Sequence, residues 1–170
     1  MQHRLNRLIF FTFCAFALAS LTPRARADGP VIDRVIIDKT KRTLMLLNGS
    51  ETVRSYRVAL GGEPSGPKRR EGDQRTPEGT YTIDARNPES DFFLSLRISY
   101  PNEQDQARAR AAGYKPGGQI MIHGLPNGLG WMGSRYMGRD WTDGCIAVTN
   151  SEMLEIWRLV DVGTPVEIRP

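Results

Sequence analysis

Cysteine and histidine are scarce in this 170-residue sequence, which has two of each. Cys14 and His3 both lie in the N-terminal segment, so everything after residue 27 holds one cysteine, Cys145, and one histidine, His123. A single thiol excludes a disulfide framework, and one cysteine with one histidine cannot supply the usual ligand set of a zinc site. No metal and no cofactor is therefore expected. A membrane-spanning run is also missing: the apolar stretch Leu8 to Leu21 contains Thr12 and Ser20 and is short of the roughly 20 residues that cross a bilayer. Charge of one sign is absent once the leader is set aside. Four of the 23 basic residues (Arg4, Arg7, Arg24 and Arg26) precede Asp28, which leaves 19 basic against 19 acidic residues. That balance lacks the basic face nucleic acid would require, and no nucleic-acid partner is expected.

What is present at the N-terminus has the order of an export signal. A basic start is followed by the apolar run and by Ala25-Arg26-Ala27, an A-x-A cleavage pattern. Residues 1–27 are read as a signal peptide cleaved near Ala27, and the protein is expected to be periplasmic or otherwise exported. A lipoprotein would need its cysteine at the cleavage point, and Cys14 sits inside the apolar run instead. Residues 28–170 suit one domain, large enough to bury a core without cross-links. The run Lys68-Arg69-Arg70, within a Gly- and Pro-rich stretch, reads as a solvated loop.

Along that domain the pattern is β-dominated. Val31 to Asp38 and Thr43 to Leu47 carry alternating or β-branched apolar residues, Asn48-Gly49 marks a hairpin turn, and Thr52 to Leu60 returns. Gly61 to Arg75 reads as an exposed loop, and Thr80 to Ile83 and Phe92 to Tyr100 as strands. Gln106 to Ala112 is a short helix stopped at Gly113. Gln119 to Ile122 is a strand that delivers His123, and Gly124 to Asp140 is a long connection. After a strand at Ile146 to Val148, Thr149 or Asn150 caps a helix with Met153, Ile156, Trp157 and Val160 on its core face. Thr164 to Ile168 closes the chain. The fold class is mostly β (α+β), a single β-sandwich or mixed-sheet domain with two short helices.

The chemistry gathers at one place. Thr142-Asp143-Gly144 forms a turn ahead of Cys145, with the glycine leaving room for a substrate carbonyl near the backbone. An exported lone thiol invites a nucleophile, although a buried cysteine acting as a small hydrophobe is the plain alternative. His123 is the one available base, and an imidazolium beside the sulfur is the usual way to stabilise a thiolate. The two are expected within hydrogen-bonding distance at a solvent-open groove, with a thiol pKa below the free value. Backbone N–H groups of Cys145 and its predecessors are candidates for an oxyanion hole. An ionised Asp143 beside the thiol would weaken the nucleophile, so a structural role in the loop is expected for it. Trp131, Met132, Tyr136, Met137 and Trp141 cluster between the two residues, as a lid over a peptide or as simple loop packing.

His123-Gly124 followed by Thr142-Asp143-Gly144-Cys145 resembles the active-site signature of the L,D-transpeptidases, the YkuD domain. Thr76 to Tyr81, Gly117 to Ile122 and Asn150 match in family order, so the resemblance spans about Val31 to Ile168. It implies a mostly β fold and a two-step acyl transfer on peptidoglycan stem peptides, with a role in wall biosynthesis and cell shape. In that scheme Cys145 attacks the carbonyl on the L-centre side of an L,D peptide bond and forms a thioester, and His123 takes and returns the proton. The carbonyl of Gly124 orients the imidazole, and Thr142, with Asp143 and Gly144, supports the oxyanion loop. The acceptor is an amine of another stem peptide, a lipoprotein lysine, a free D-amino acid, or water, in which case the enzyme is a peptidase.

Two positions depart from the family pattern: Asp143 stands where many members have histidine, and Ala147 where many have arginine. Substrate contacts from that arginine are expected instead from Arg135 or Arg139, with Tyr136 and Trp141 as further binding candidates. A sortase-like enzyme also places His before Cys, but its arginine would be Arg158, inside the amphipathic helix. A papain-like peptidase reverses the order of the two. The non-enzymatic alternative is a peptidoglycan-binding module with an inert Cys145.

Overall fold

The protein is represented by a computed structural model that describes residues 29–170, so the signal reading of residues 1–27 lies outside the described residues. Strand β1 (Arg34–Asp38) buries three successive residues, Val35, Ile36 and Ile37, so both of its faces are covered, and it pairs antiparallel with β2 (Thr43–Asn48). Asn48-Gly49 turns the chain, with Gly49 at φ +59°, into β3 (Glu51–Arg57). Beyond Arg57 the chain leaves β2, and Ala59 exchanges two backbone hydrogen bonds with Ala147, at 2.9 and 2.8 Å. The return strand expected through Leu60 is thus two short pieces, because its second half pairs with the segment that follows Cys145.

Strand β4 (Gly79–Asn87) runs longer than its expected core, and β5 (Ser95–Ile98) runs shorter. Phe92 and Phe93 fall in a turn instead of a strand: the Phe92 N–H bonds to Ser90 Oγ at 3.1 Å and the Phe93 N–H to Asn127 Oδ1 at 2.9 Å. Local side-chain acceptors compete with the ladder there and prevail. Helix α1 (Glu103–Ala111) starts three residues earlier than expected. Its start is fixed by a reciprocal capping box between Asn102 and Asp105.

Strand β6 (Met121–His123) follows, then a 3-10 turn (Gly130–Met132) and the four-residue helix α2 (Gly133–Tyr136), which give the long connection local structure. Strand β7 (Ile146–Ala147) leads into α3 (Asn150–Leu159). Thr149 and Glu152 form its capping box, and β8 (Pro165–Arg169) ends the fold.

The described residues form one curled eight-stranded mixed sheet in the order β3-β2-β1-β8-β4-β5-β6-β7. Pairs β1–β8 and β6–β7 are parallel, and the other neighbours antiparallel. Helix α3 packs on it through Met153 and Ile156, with Val160 at its end, all fully buried, while Trp157 is partly buried against the same core. Each such side chain contributes roughly 1.5–3 kcal/mol. This packing holds β5, β6 and β7 together at one end of the sheet, where His123 and Cys145 sit.

The Gly61 to Arg75 segment is ordered from within. Asp73 accepts the N–H groups of Arg69, Arg70 and Arg75 at 2.7, 3.1 and 3.1 Å and pairs with the Lys68 ammonium at 2.7 Å. Lys68 is therefore buried, against the reading of Lys68 to Arg70 as a solvated run; Arg69 and Arg70 remain exposed. Burial pushes the Asp73 carboxyl up, but the three N–H donors and Lys68 outweigh it and hold the group below its ordinary value.

Candidate active site

Strand pairing places the two reactive side chains. In the parallel β6–β7 pair Ile122 stands opposite Ile146 and His123 opposite Ala147. Side chains alternate along a strand, so Cys145, two residues before Ala147, projects to the same face as His123. Both line a cleft of about 310 Å3, walled further by Phe92, Gln119, Met121, Trp141, Thr142 and Asp143. Cys145 is partly exposed there, while His123 is 4% exposed.

The imidazole is fixed by its own neighbour. Its Nδ1 lies 2.6 Å from the Gly124 carbonyl oxygen. A carbonyl can only accept, so Nδ1 carries the hydrogen and Nε2 is left as the basic atom. Phe92 packs on the ring at 4.6 Å between centroids and Trp141 meets it edge-on at 5.9 Å. Gly124 itself is pinned: a Cβ on it would lie 2.7 Å from Asn150 Oδ1, the same atom that accepts the Leu125 N–H at 2.8 Å.

The turn that carries Cys145 is stapled by Thr142. Its hydroxyl donates to the Cys145 carbonyl at 2.8 Å and accepts the Gly144 N–H at 3.1 Å. Gly144 adopts φ +125°, and a Cβ there would sit 2.6 Å from the Arg75 carbonyl oxygen. The turn therefore needs glycine both for its backbone angle and for its fit against the ordered loop. Gly62 donates to the Thr142 carbonyl at 3.0 Å, and Trp141 and Thr142 donate to Leu60, each at 3.1 Å.

The pair is not joined by a hydrogen bond. Cys145 Sγ instead donates to the Gln119 carbonyl at 3.5 Å. Burial pushes the thiol above its ordinary pKa, opposed by a Met121 backbone contact and the charge of Lys68 and reinforced by the charge of Asp143. Burial likewise depresses His123, only partly offset by its bond to Gly124. Both shifts favour the neutral forms, a thiol and an imidazole, which runs against the expected lowered thiol pKa and suits a general-base arrangement.

Other predicted site residues separate. Trp141 lines the cleft, and Tyr136 packs edge-on against it at 5.2 Å without lining it. Arg135, on α2, and Arg139, in the segment after it, are exposed and outside the cleft wall. The lid cluster also divides: Met137 is buried and Trp131 is 78% exposed. Ala147 is fully buried in a small cluster with Ala59, Leu125 and Met137, which leaves no room for a long cation. Asp143 is exposed and its carboxylate makes no hydrogen bond or ion pair among the described residues, so the loop-bonding role expected of it belongs to Thr142. Sequence reasoning missed Phe92, Gln119 and Met121 as cleft residues, since nothing local marks them. Among the described residues no group of three or more His, Cys, Asp or Glu is gathered to hold a metal ion.

Residues 32–168 match the YkuD family, the L,D-transpeptidase catalytic domain. The chain is 32% identical over 108 residues to YafK of Escherichia coli (strain K12), a candidate L,D-transpeptidase, covering 62% of this chain and 36% of that protein. Among solved structures it is similar to the helical cell shape determining protein Pgp2 from Campylobacter jejuni, with 27% identity and a TM-score of 0.62 over 81% of this chain and 47% of that one. It shares its fold with an L,D-transpeptidase from Mycobacterium smegmatis at 17% identity and a TM-score of 0.53, covering 80% of this chain and 58% of that one. The chain thus spans about a third of the curated relative's length and about half of the Campylobacter protein's.

Proposed function

The chain belongs to the YkuD family of L,D-transpeptidase catalytic domains, and on that premise we propose that it is an exported cysteine acyltransferase acting on peptidoglycan stem peptides. Cys145 is its nucleophile and His123 its general base. The observation that carries this reading is the placement of both side chains on one cleft wall, with His123 Nδ1 tied to the Gly124 carbonyl and Nε2 left free.

In the first step Nε2 of His123 takes the Sγ proton as sulfur attacks the carbonyl on the L side of an L,D peptide bond. The proton then goes to the leaving D-amino acid nitrogen, the C–N bond breaks and a thioester remains. In the second step an incoming amine attacks the thioester, His123 accepts a proton from it, and the thiol is regenerated. Gly144 has committed its N–H to Thr142, so the Cys145 N–H is the turn's candidate donor to the developing oxyanion. Trp141 and Phe92 supply an apolar wall against which an extended peptide lies. Export to the periplasm after cleavage near Ala27 agrees with a wall substrate. No helix among the described residues is long and apolar enough to cross a membrane.

Incubation of residues 28–170 with a disaccharide tetrapeptide, read by mass, tests the reaction: cross-linked, exchanged and hydrolysed products differ, so the same experiment identifies the acceptor as stem peptide, D-amino acid or water. A lysine-bearing lipoprotein peptide extends the series. Cys145→Ala and His123→Ala are expected to abolish all products; full activity in both variants sinks the assignment. A carbapenem is expected to leave an acyl adduct on Cys145, whereas a binding module without catalysis acquires none.

A further inference from the structure

The cleft beside Cys145 has an unused charge. Its wall contains two carboxylates, Asp91 and Asp143, both exposed, and no lysine or arginine. Neither carboxylate hydrogen-bonds or pairs with any group among the described residues. Asp143 is the more telling of the two, because it occupies the turn that carries the nucleophile and is held there by Thr142 and Gly144 on either side of it. Its side chain contributes nothing to that turn, and its charge opposes ionisation of the neighbouring thiol. A carboxylate that lines the cleft beside the thiol and supports no structure there is placed to meet a partner that arrives from solution.

Resting on the thioester reading above, we propose that Asp143 selects the acyl acceptor: its carboxylate receives the ammonium form of an incoming primary amine at the lip of the acylated cleft. Amines of the lysine type are protonated at neutral pH, and a fixed negative charge raises their local concentration where the thioester waits. An acceptor that presents a carboxylate there meets repulsion from the same group. The proton balance closes without a further reactant. The bound ammonium gives one proton to His123 Nε2, its nitrogen forms the new C–N bond as the C–S bond breaks, sulfur takes the His123 proton, and the remaining proton leaves to solvent. Asp143 is a specificity-determining residue in this scheme and makes no covalent bond.

The experiment compares two nucleophiles on one acyl-enzyme, formed from residues 28–170 and a disaccharide tetrapeptide: Nα-acetyl-lysine amide, a cation without a carboxylate, and hydroxylamine, uncharged at neutral pH. For Asp143→Asn the kcat/KM for the lysine amide is expected to fall about twofold to fivefold relative to that for hydroxylamine, the size of an exposed charge pair. Asp143→Glu restores part of the preference. Rising salt erodes the preference of the unaltered enzyme and leaves the Asn variant flat. Using the ratio cancels any common change in thiol reactivity. Equal changes for both nucleophiles, or a salt response that persists in Asp143→Asn, overturn the proposal. An unaltered protein that forms no thioester by mass overturns the transferase reading and this one with it, a result distinct from a thioester that forms without charge selection.

Discussion

The side-chain oxygen of Asn150 accepts the Leu125 N–H at 2.8 Å, and so the first residue of the last helix holds the segment that orients the imidazole of His123. Its amide also lies against Gly130, where a Cβ would approach Asn150 Nδ2 to 2.5 Å. One side chain thereby ties the helix after the cysteine to two points, Leu125 and Gly130, of the segment after the histidine.

Asn150→Ala is expected to free Gly124 and Leu125 and to let the ring turn. The stability cost should be about 1 kcal/mol, the size of one hydrogen bond. The cost in kcat should be larger, about tenfold or more, because a misaligned base is penalised in the transition state. Urea denaturation and product formation from the tetrapeptide, measured on the same preparation, separate the two. A kcat loss no larger than the fraction of unfolded protein would show that Asn150 serves stability alone.

Gly144→Ala should be worse than an ordinary surface substitution. The added Cβ meets the Arg75 carbonyl oxygen, and the backbone angle is one that side chains rarely adopt. A loss of about 2 kcal/mol or more is expected, along with loss of transfer. A variant of unchanged stability and activity would show that the turn tolerates another geometry.

Charge within the ordered loop gives an independent test. Lys68 and Asp73 have side chains only 3% and 9% exposed, and Asp73→Ala strands the ammonium while removing an acceptor from three N–H groups. The expected cost is on the order of 3–5 kcal/mol, as for breaking a buried pair. Replacing Lys68 by Met in the same chain should recover part of it, since the stranded charge then disappears. Equal midpoints for the single and double variants in urea would argue against a buried-charge origin.

The pH dependence follows from two opposite shifts. His123 is depressed, so its basic form persists below the ordinary imidazole value near 6.5. Cys145 is raised, so its neutral form persists above the ordinary thiol value of about 8.5. The kcat/KM profile should therefore be a broad plateau, with an acid limb below 6.5 and an alkaline limb above 8.5. Iodoacetamide alkylation of Cys145, which follows the thiolate, should rise only on the alkaline side. For stability the signs are set by which state binds the proton. At pH below 6.5 the unfolded imidazole protonates first, so the His123 contribution is intact above that pH and is lost as pH falls. Above the ordinary thiol value the unfolded sulfur ionises first, and stability declines again. Rapid alkylation at pH 6 would contradict the neutral pair.

Much of this was readable along the chain because the relevant signals are local. Asn48-Gly49 specified a hairpin, and the caps and periodicity from Thr149 to Val160 specified a helix with a buried face. Where acceptors from elsewhere intervened, local reading failed. Phe92 and Phe93 resemble strand residues until Ser90 and Asn127 take their N–H groups. The Lys68 run resembles solvent-facing charge until Asp73 folds beneath it.

Composition and order alone singled out Cys145 and His123 as the candidate pair, since after residue 27 no other thiol or imidazole is available, and the glycine beside each followed from the motif they share. The tertiary structure alone decided the company of that pair and the direction in which its proton affinities move. Parallel pairing of β6 with β7 brings residues 22 positions apart to one face, and burial there favours the neutral form of both, because desolvation depends on what surrounds a group in space and not on its neighbours in sequence. It also decided that Asp143 lies in the cleft wall with no hydrogen-bond or ion-pair partner among the described residues, while Arg135 and Arg139 lie outside that wall.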